Sequence, residues 1–341
     1  MRAANKAQEQ ARRRTDEKGR RRDAARRARE LAEQQAEAMP LVDDVERPRH
    51  ERVVDAELVD PAPHGGILEV LSMRYLLRLI VRRELAKMYA ASVLGLLWSY
   101  VQPATRFVVY YFIFGMVMQV HRGVPNFAVH LFCGMVFLHY FTETWAGGTR
   151  SIRTNRQLVL KMRVPREIFP VSMMIVAFYH TGPQLLLLLV VCLLIGWHVT
   201  WTAVLAGLLG LAILVLFSMA MAMIFSALNV YAQDTQNIVS TFGQFLHFMV
   251  PMIYPFSFIA DIGERHPVIY QLYLANPLAE AVMLLQKFFW QPLAAHPESL
   301  EANFPADLWE RGVIMLAVCA LLVFLAQRFF SRVEGRIPEL L

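Results

Sequence analysis

The amino-acid sequence predicts an all-α polytopic membrane protein, with six transmembrane helices preceded by an amphipathic interfacial helix. Hydrophobic residues make up 56% of the 341-residue chain and charged residues only 18%, whereas a soluble domain carries about a quarter charged residues. Long apolar runs recur from residue 104 onward, and each of the three cysteines lies inside such a run. These isolated thiols form neither a disulfide framework nor a CxxC-type ligand cluster. The composition therefore disfavours a soluble enzyme.

Residues 1–65 are predicted to form a disordered, charged cytoplasmic tail, separate from a membrane domain over 66–341. The tail holds 15 of the 34 Lys+Arg and 14 of the 28 Asp+Glu and contains no Phe, Trp or Tyr. Without aromatic residues it cannot bury enough apolar surface to offset the entropy of ordering it. It is either a solvated tail or one whose arginines contact anionic lipid headgroups. Because much of the positive charge lies in this tail and beside the membrane, we expect no nucleic-acid partner.

Six apolar stretches have about the 20 residues that a helix needs to cross the hydrocarbon core. They are 104–120, 127–146, 169–196, 201–230, 238–260 and 308–327. Segments on one side of these spans contain 14 Lys+Arg and segments on the other side contain three. Since basic residues accumulate on the cytoplasmic side, both termini are predicted to lie in the cytoplasm, in a multi-pass protein of the inner or plasma membrane.

An amphipathic stretch precedes the first span, over 67–79 and on through Val81. Arg74, Arg78 and Arg82 are four residues apart and therefore share one helical face. Apolar residues cover the rest of the helix. This pattern is typical of a helix lying flat in the cytoplasmic headgroup layer, where it can also hold a cytosolic partner.

Catalytic motifs are absent from the sequence. There is no GxxxxGK[ST] phosphate loop, no HExxH and no GxSxG, so we expect neither catalysis nor a cofactor or metal in this chain. Glu143 and Arg106 are interpreted as snorkelling from near helix ends. Four histidines in apolar runs are interpreted as donors in helix packing. They are His130, His139, His180 and His247.

Four motifs together resemble the permeases of ABC exporters for polysaccharides, teichoic acids and O-antigens, in the order of that family and over nearly all of residues 67–341. The motif residues are Arg83-Glu84, Tyr89, Ser92, Leu94-Gly95, Trp98 and Gln102-Pro103; Ser151-Ile152, Asn155, Leu158, Lys161, Pro165-Arg166-Glu167 and Pro170; Tyr231, Asp234, Ile238, Pro251 and Ile253-Tyr254-Pro255; and Asn276-Pro277-Leu278. One departure is Gln233, where relatives often carry arginine.

The resemblance implies a homodimer with two copies of a cytosolic ATPase subunit, which hold Mg-ATP and power export of a lipid-linked polysaccharide. The implied ATPase-coupling residues lie on the interfacial helix and in the loop 147–168, part of which is predicted to be a short docking helix. They are Arg74, Arg78, Arg82, Arg83, Glu84, Arg150, Asn155, Lys161, Arg163, Pro165 and Arg166. The alternative is an ordinary basic cytoplasmic loop.

The family places the first and fifth helices at the channel, where aromatic rings can contact the apolar faces of sugars. Candidate channel residues are Tyr100, Tyr110, Tyr111, Phe114, Phe242, Phe245, Phe248 and Tyr254; the alternative is helix packing. The family also forms an outer gate from re-entrant helices between the fifth and sixth spans. Candidate gate residues are Pro251, Pro255, Asn276, Phe288, Phe289 and Trp290; for the aromatic ones, interfacial anchoring is the alternative.

Two other functions stay open at this point. One is a membrane-embedded glycosyltransferase or polymerase acting on lipid-linked sugars, although the acidic residues of 261–307 form no paired motif. The other is a drug-exporting permease. Among polysaccharides, the tail rich in Arg and Ala resembles actinobacterial sequences, for which a cell-wall galactan carried on an undecaprenyl- or decaprenyl-type lipid would be a suitable substrate.

Overall fold

The computed structural model describes residues 66–89, 95–161, 164–294 and 296–340. The predicted tail 1–65, the motif residues Ser92 and Leu94, and Arg163 lie outside the described residues. Every regular element in the described part of the chain is helical, which confirms the all-α fold class. The α-helices, α1 to α13 in chain order, are Gly66–Ser72, Arg74–Tyr89, Trp98–Tyr110, Phe127–Thr154, Arg156–Lys161, Ile168–Ile195, Trp201–Tyr231, Thr235–Phe245, Ser257–Arg265, Pro267–Leu274, Pro277–Phe289, Leu308–Glu334 and Ile337–Leu340.

Several of these helices are suited to a membrane. Within the described residues, three helical regions are long and apolar enough to cross it: Ile168–Ile195, Trp201–Tyr231 and Leu300–Glu334. A fourth crossing results if Pro267–Leu274 and Pro277–Leu293, which meet at a bend of 73°, are taken as one span. The chain is thus a multi-pass membrane protein. A bent helix pair occupies the predicted place between the fifth and sixth spans, and the total of six crossings stays a prediction.

Helix α7 lies at the centre of the packing, where it contacts α4, α11 and α12. Small residues allow these close approaches. A Cβ atom added at Gly210 would lie 2.8 Å from the Ala281 carbonyl oxygen, and one at Gly148 would lie 2.6 Å from Ala222 Cβ. Lipid tails are as apolar as the helices, so close packing of small residues is what holds such helices together.

The first predicted span, 104–120, is helix α3 continued by a π-helical segment. That segment covers Tyr111–Val117 and ends in a tight turn over Val120–Arg122. His121 Nδ1 lies 2.7 Å from the Gly115 carbonyl oxygen, so the imidazole can donate to a carbonyl of the wide π turns. A π-helix of this length is rare and concentrates at functional sites.

The second and fifth predicted spans differ from the observed helices. Helix α4 continues to Thr154, beyond the predicted end at residue 146. Helix α8 ends at Phe245, and 246–256 are not helical. The interruption expected from Pro251 and Pro255 is therefore present, but it begins before the first proline. Three side chains bond backbone carbonyl groups within the break, as described below, so these groups are not left unpaired.

The predicted amphipathic helix is present as two helices, α1 and α2, with a break at Met73. On α2, Leu77, Ile80 and Val81 are buried and Glu84 lies on the same face, against α6. These four positions recur at the helical spacing of three or four residues, so they form one stripe of α2 that packs against the rest of the protein. The three predicted arginines of α2 are exposed, as are the large apolar side chains Leu68, Leu71, Tyr75 and Leu79.

Candidate functional site

Helix α2 is joined to the end of α4 by a small polar cluster around Asn155. Arg83 Nη1 donates to Asn155 Oδ1 at 3.0 Å, and Lys87 Nζ donates to the same oxygen at 3.3 Å. Lys87 also forms an ion pair with the buried Glu84 at 2.7 Å. The Asn155 side-chain amide donates back to the Ser151 carbonyl at 3.0 Å, and the same carbonyl accepts from the Asn155 backbone N–H at 3.2 Å. We call these five residues the Asn155 junction.

The loop after α4 contains the short helix α5, at the place where the sequence predicts one. Arg156, Leu160 and Lys161 are exposed on it, whereas Val159 is buried and fixes the helix to the body of the protein. The helix therefore presents two cations and one leucine outward. Such a surface is suited to contact with another protein, because a leucine flanked by arginine and lysine gives both apolar area and charge.

The remaining predicted coupling residues lie elsewhere. Pro165 is buried, and the Arg166 guanidinium donates to the Glu334 backbone carbonyl and lies 3.9 Å from its carboxylate. Arg166 thus holds the end of α12 rather than a free surface. Arg150 points toward a cavity described below. The structure brings Arg83, Glu84 and Asn155 together and leaves Arg74, Arg78, Arg82 and Lys161 as separate exposed groups.

Sequence reasoning missed a second connection on this side of the molecule. Arg153 Nη1 donates to the Asn229 carbonyl at 3.3 Å, and the Asn229 amide donates to the Thr149 carbonyl at 3.0 Å. When the Gln233 side-chain amide is oriented with its oxygen toward Arg153, this oxygen accepts a hydrogen bond from Arg153 Nη2 at 2.5 Å. The departure from the family pattern thus has a structural reason, since an arginine at 233 offers no acceptor to Arg153.

A cavity of 580 Å³ lies between α3, α4 and α8, and we call it the midspan cavity. Its lining residues are Gln102, Pro103, Arg106, Tyr110, His139, Thr142, Glu143, Trp145, Ala146, Val239, Ser240, Gly243, Gln244, His247 and Phe248. A neighbouring cavity of 220 Å³ shares Gln102, Pro103, His139 and Glu143 with it; it is also lined by Met88, Trp98, Ser99, Arg150 and His180. The two form one groove that leads from the end of α2 to the middle of α3.

Only two of the predicted channel aromatics, Tyr110 and Phe248, line the midspan cavity. Tyr111 stacks on Phe107 at 5.8 Å, and Phe114 packs edge-on against Tyr110 at 6.1 Å. Tyr100, Phe242 and Phe245 are exposed outside this cavity, and the Tyr254 hydroxyl donates to the Phe248 carbonyl at 2.9 Å. The cavity wall also carries amides, hydroxyls, imidazoles and two charged side chains among its apolar residues.

Glu143 and Arg106 lie on the wall of the midspan cavity, and their snorkelling toward the membrane surface stays a prediction. Glu143 lies eleven residues before the end of α4, about 16 Å at 1.5 Å per residue. Arg106 lies eight residues after the start of α3 and eleven before the end of the π segment. Both side chains line the midspan cavity. An ionisable side chain at this depth is tolerated where it faces a water-filled cavity.

Of the four histidines, His130 is packed between helices, but its two ring nitrogens have no hydrogen-bond partner within the described part of the chain, so it is not the packing donor that the sequence predicts. His130 is buried and packs against Trp290 with ring centres 4.6 Å apart. His139 and His247 line the midspan cavity, and His139 and His180 line its neighbour. Sequence spacing could not bring these three together, because they lie on α4, on α6 and after α8.

Three side chains satisfy backbone carbonyls in the break between α8 and α9. The Gln286 amide donates to the Pro251 carbonyl at 2.8 Å, and the Asn276 amide donates to the Met249 carbonyl at 3.2 Å. The Tyr254 hydroxyl provides the third bond, to Phe248. Asn276 also caps α11, since its oxygen accepts from the Leu278 N–H at 3.0 Å. Pro251 and Asn276 are thus parts of one hydrogen-bonded corner, to which the unpredicted Gln286 also belongs, and Pro255 is buried at the end of the break.

The three other gate candidates are packed side chains. Trp290 is 1% exposed, and its indole N–H donates to the Pro125 carbonyl at 2.6 Å. Trp197 packs against Phe288 at 4.9 Å and stacks on Phe289 at 5.9 Å. These contacts show three rings packed within the protein, and both the gate role and the interfacial anchoring stay predictions.

The fold is that of an all-α, multi-pass membrane protein. Residues 75–290 match the model of the ABC-2 type transporter family, and the chain belongs to that family. It is similar to the O-antigen export system permease protein RfbA of Myxococcus xanthus, with 32% identity over 237 residues, covering 69% of this chain and 88% of that protein. Two proteins of the same name from Klebsiella pneumoniae are 25% and 26% identical over 270 residues, each covering 78% of this chain and 95% of the relative.

Proposed function

We propose that this chain is the permease half of an ATP-driven exporter that moves a lipid-linked polysaccharide from the cytoplasm to the outer face of the membrane. Family membership carries the transport part of the proposal. The names of the relatives, all O-antigen export permeases, support a polysaccharide substrate. The same similarities favour a transporter over the glycosyltransferase alternative.

Energy for this transport is proposed to come from a separate ATPase subunit that holds Mg-ATP, two copies of which bind a homodimer of this chain on its cytoplasmic side. The sequence itself has no phosphate loop. The exposed face of α5 supports a contact with such a subunit, since Arg156, Leu160 and Lys161 point away from the protein. The Asn155 junction connects this loop to α2. A movement of α5 would therefore be transmitted to α2 and to the groove that begins at Met88.

The substrate is proposed to pass through the space that the midspan cavity faces. Hydroxyl groups of a sugar chain exchange hydrogen bonds readily with amide and hydroxyl side chains, and Gln102, Thr142, Ser240 and Gln244 provide such groups there. Each neutral hydrogen bond contributes a net free energy of only about 1 kcal/mol, because it replaces a hydrogen bond to water. A polymer can therefore move past this wall without being held in one register.

The test is to purify the full chain with the ATPase encoded beside it and to measure export in cells. We expect a complex of two permease and two ATPase chains that hydrolyses ATP, and loss of surface polysaccharide when the permease gene is deleted. A lipid-linked galactan is the first polymer to assay, given the composition of the tail. A chain that purifies alone and turns over a lipid-linked sugar donor without an ATPase would overturn the proposal.

A further inference from the structure

We propose that Arg106, in the midspan cavity, binds the phosphate group that joins the sugar chain to its lipid carrier. This inference rests on the proposed function, because it assumes that the cargo is lipid-linked. It adds a second requirement to transport. Besides the neutral polymer, a strongly anionic group must cross the membrane, and a phosphate in hydrocarbon has a large desolvation cost.

Arg106 is suited to such a group by its position. It lies in the middle of a helical segment that runs from Trp98 to Val117, and its side chain is exposed and lines the cavity. Among the described residues it has no hydrogen-bonding partner and no carboxylate within 4 Å. A guanidinium at this depth costs about 3 kcal/mol or more at mid-bilayer, and the usual compensation is a counter-charge or water.

The other donors of the cavity complement a phosphate. His247, Gln102 and Gln244 line the same space, and each side chain offers an N–H to an anionic oxygen. The planar guanidinium matches two phosphate oxygens at once, and such charge-assisted bonds are about twice as strong as neutral ones. A cavity of 580 Å³ has room for a diphosphate with water around it, since one water occupies about 30 Å³ of liquid.

A neutral sugar chain has no need of an arginine here. The amides and hydroxyls of the cavity already match its groups, and an unpaired cation would only raise the cost of the channel. Glu143, on the wall shared by the two cavities, repels an anion, but Arg150 and His180 line the smaller cavity beside it. Arg150 and Arg106 thus form two successive cationic positions along the groove that starts at Met88.

The test is direct binding to the purified full chain, followed through intrinsic fluorescence, because Trp98 and Trp145 line the groove. The probes are geranylgeranyl diphosphate, geranylgeraniol and inorganic pyrophosphate. We expect Arg106→Gln to raise the Kd for geranylgeranyl diphosphate by about tenfold or more, as the loss of a charge-assisted pair implies. Arg106→Lys should raise it less. The matched control is Arg122→Gln, which removes one exposed arginine from the turn after the π segment and should leave the Kd unchanged.

A second variant covers the case in which Arg106→Gln does not fold. Glu143→Gln removes the negative charge from the same cavity and should lower the Kd for the diphosphate. Equal Kd values for wild-type protein and Arg106→Gln, or for the diphosphate and the alcohol, would overturn the phosphate site. Pyrophosphate binding as tightly as geranylgeranyl diphosphate, with the same dependence on Arg106, would overturn the carrier and leave a site for a free anion. The proposed function fails separately, if cells with wild-type protein export no polysaccharide.

Discussion

The Asn155 junction and the corner at the α8–α9 break solve the same problem with different side chains. In both places side chains bond backbone carbonyls beside a helix end. At the Asn155 junction the Asn155 amide bonds the Ser151 carbonyl, and its oxygen is bonded by two charged and exposed side chains, Arg83 and Lys87. At the break the side chains are all neutral, namely Gln286, Asn276 and Tyr254, and Gln286 is 2% exposed. The charged junction is therefore suited to move and to respond to a partner, whereas the neutral corner is suited to stay fixed.

The largest expected effect concerns function on the charged side. Lys161→Glu combined with Arg163→Glu should uncouple ATP hydrolysis from export, since the reversal opposes contact between the α5 loop and the ATPase. A coupling free energy between two distant sites typically corresponds to a change of about tenfold or more in the measured quantity, here the export rate. We expect export in cells to fall by that factor while the ATPase rate of the purified complex persists. Arg265→Glu, on the predicted outer side, is the control, and unchanged export in the double variant would contradict the coupling role.

The next largest effect concerns stability on the neutral side. Gln286→Leu leaves the buried Pro251 carbonyl without its donor, which costs about 1–3 kcal/mol. We expect a clearly lower unfolding temperature of the detergent-solubilised chain. Gln271→Leu, at an exposed position on neighbouring α10, should leave that temperature nearly unchanged. If both variants unfold at the wild-type temperature, the corner does not fix the break.

A smaller effect is expected from Asn155→Leu. The substitution removes the acceptor shared by Arg83 and Lys87, but both cations are exposed and can turn to water. The free energy of unfolding should fall by about 1 kcal/mol, while the export rate should fall more than that loss of stability explains. Asn155→Asp, which keeps an acceptor oxygen, should restore export; failure of this rescue would show that the junction does not transmit the movement of α5.

The smallest effect separates the ion pair from the rest of the Asn155 junction. In a double-mutant cycle of Glu84→Gln and Lys87→Met, the coupling energy should be at most about 1 kcal/mol. It should also decrease at high salt, because the Lys87 end of the pair is exposed. A coupling energy independent of salt would show that the pair behaves as a buried one.

The sequence predicted the helices better than their ends, and their ends better than the sites. Helix α4 was predicted too short because Arg150 and Arg153 near its end are typical of a loop. Their charges instead lie against a cavity and against the Asn229 and Gln233 groups. The short helix α5 and the break near Pro251 were predicted because proline and charge act locally.

The midspan cavity could not be predicted, because it depends on which faces of three separate helices meet. Gln286 gave no signal either, since a single glutamine in an apolar helix does not reveal that a carbonyl 35 residues away needs its amide. The candidate channel residues were chosen because they are aromatic. Residue type alone does not distinguish a ring that lines the cavity from a ring that packs between helices.

The π-helical segment has a consequence for the surrounding bilayer. Trp98–Val117 is 20 residues long, about 30 Å if it were entirely α-helical, which just matches the hydrocarbon thickness. Wider turns advance less per residue, so this element is shorter than the lipid beside it. A short hydrophobic element is accommodated by thinning of the membrane next to it. If this element crosses the membrane as the sequence predicts, the lipids beside α3 are expected to be compressed, and the thickness of the host bilayer becomes a variable of the protein's environment.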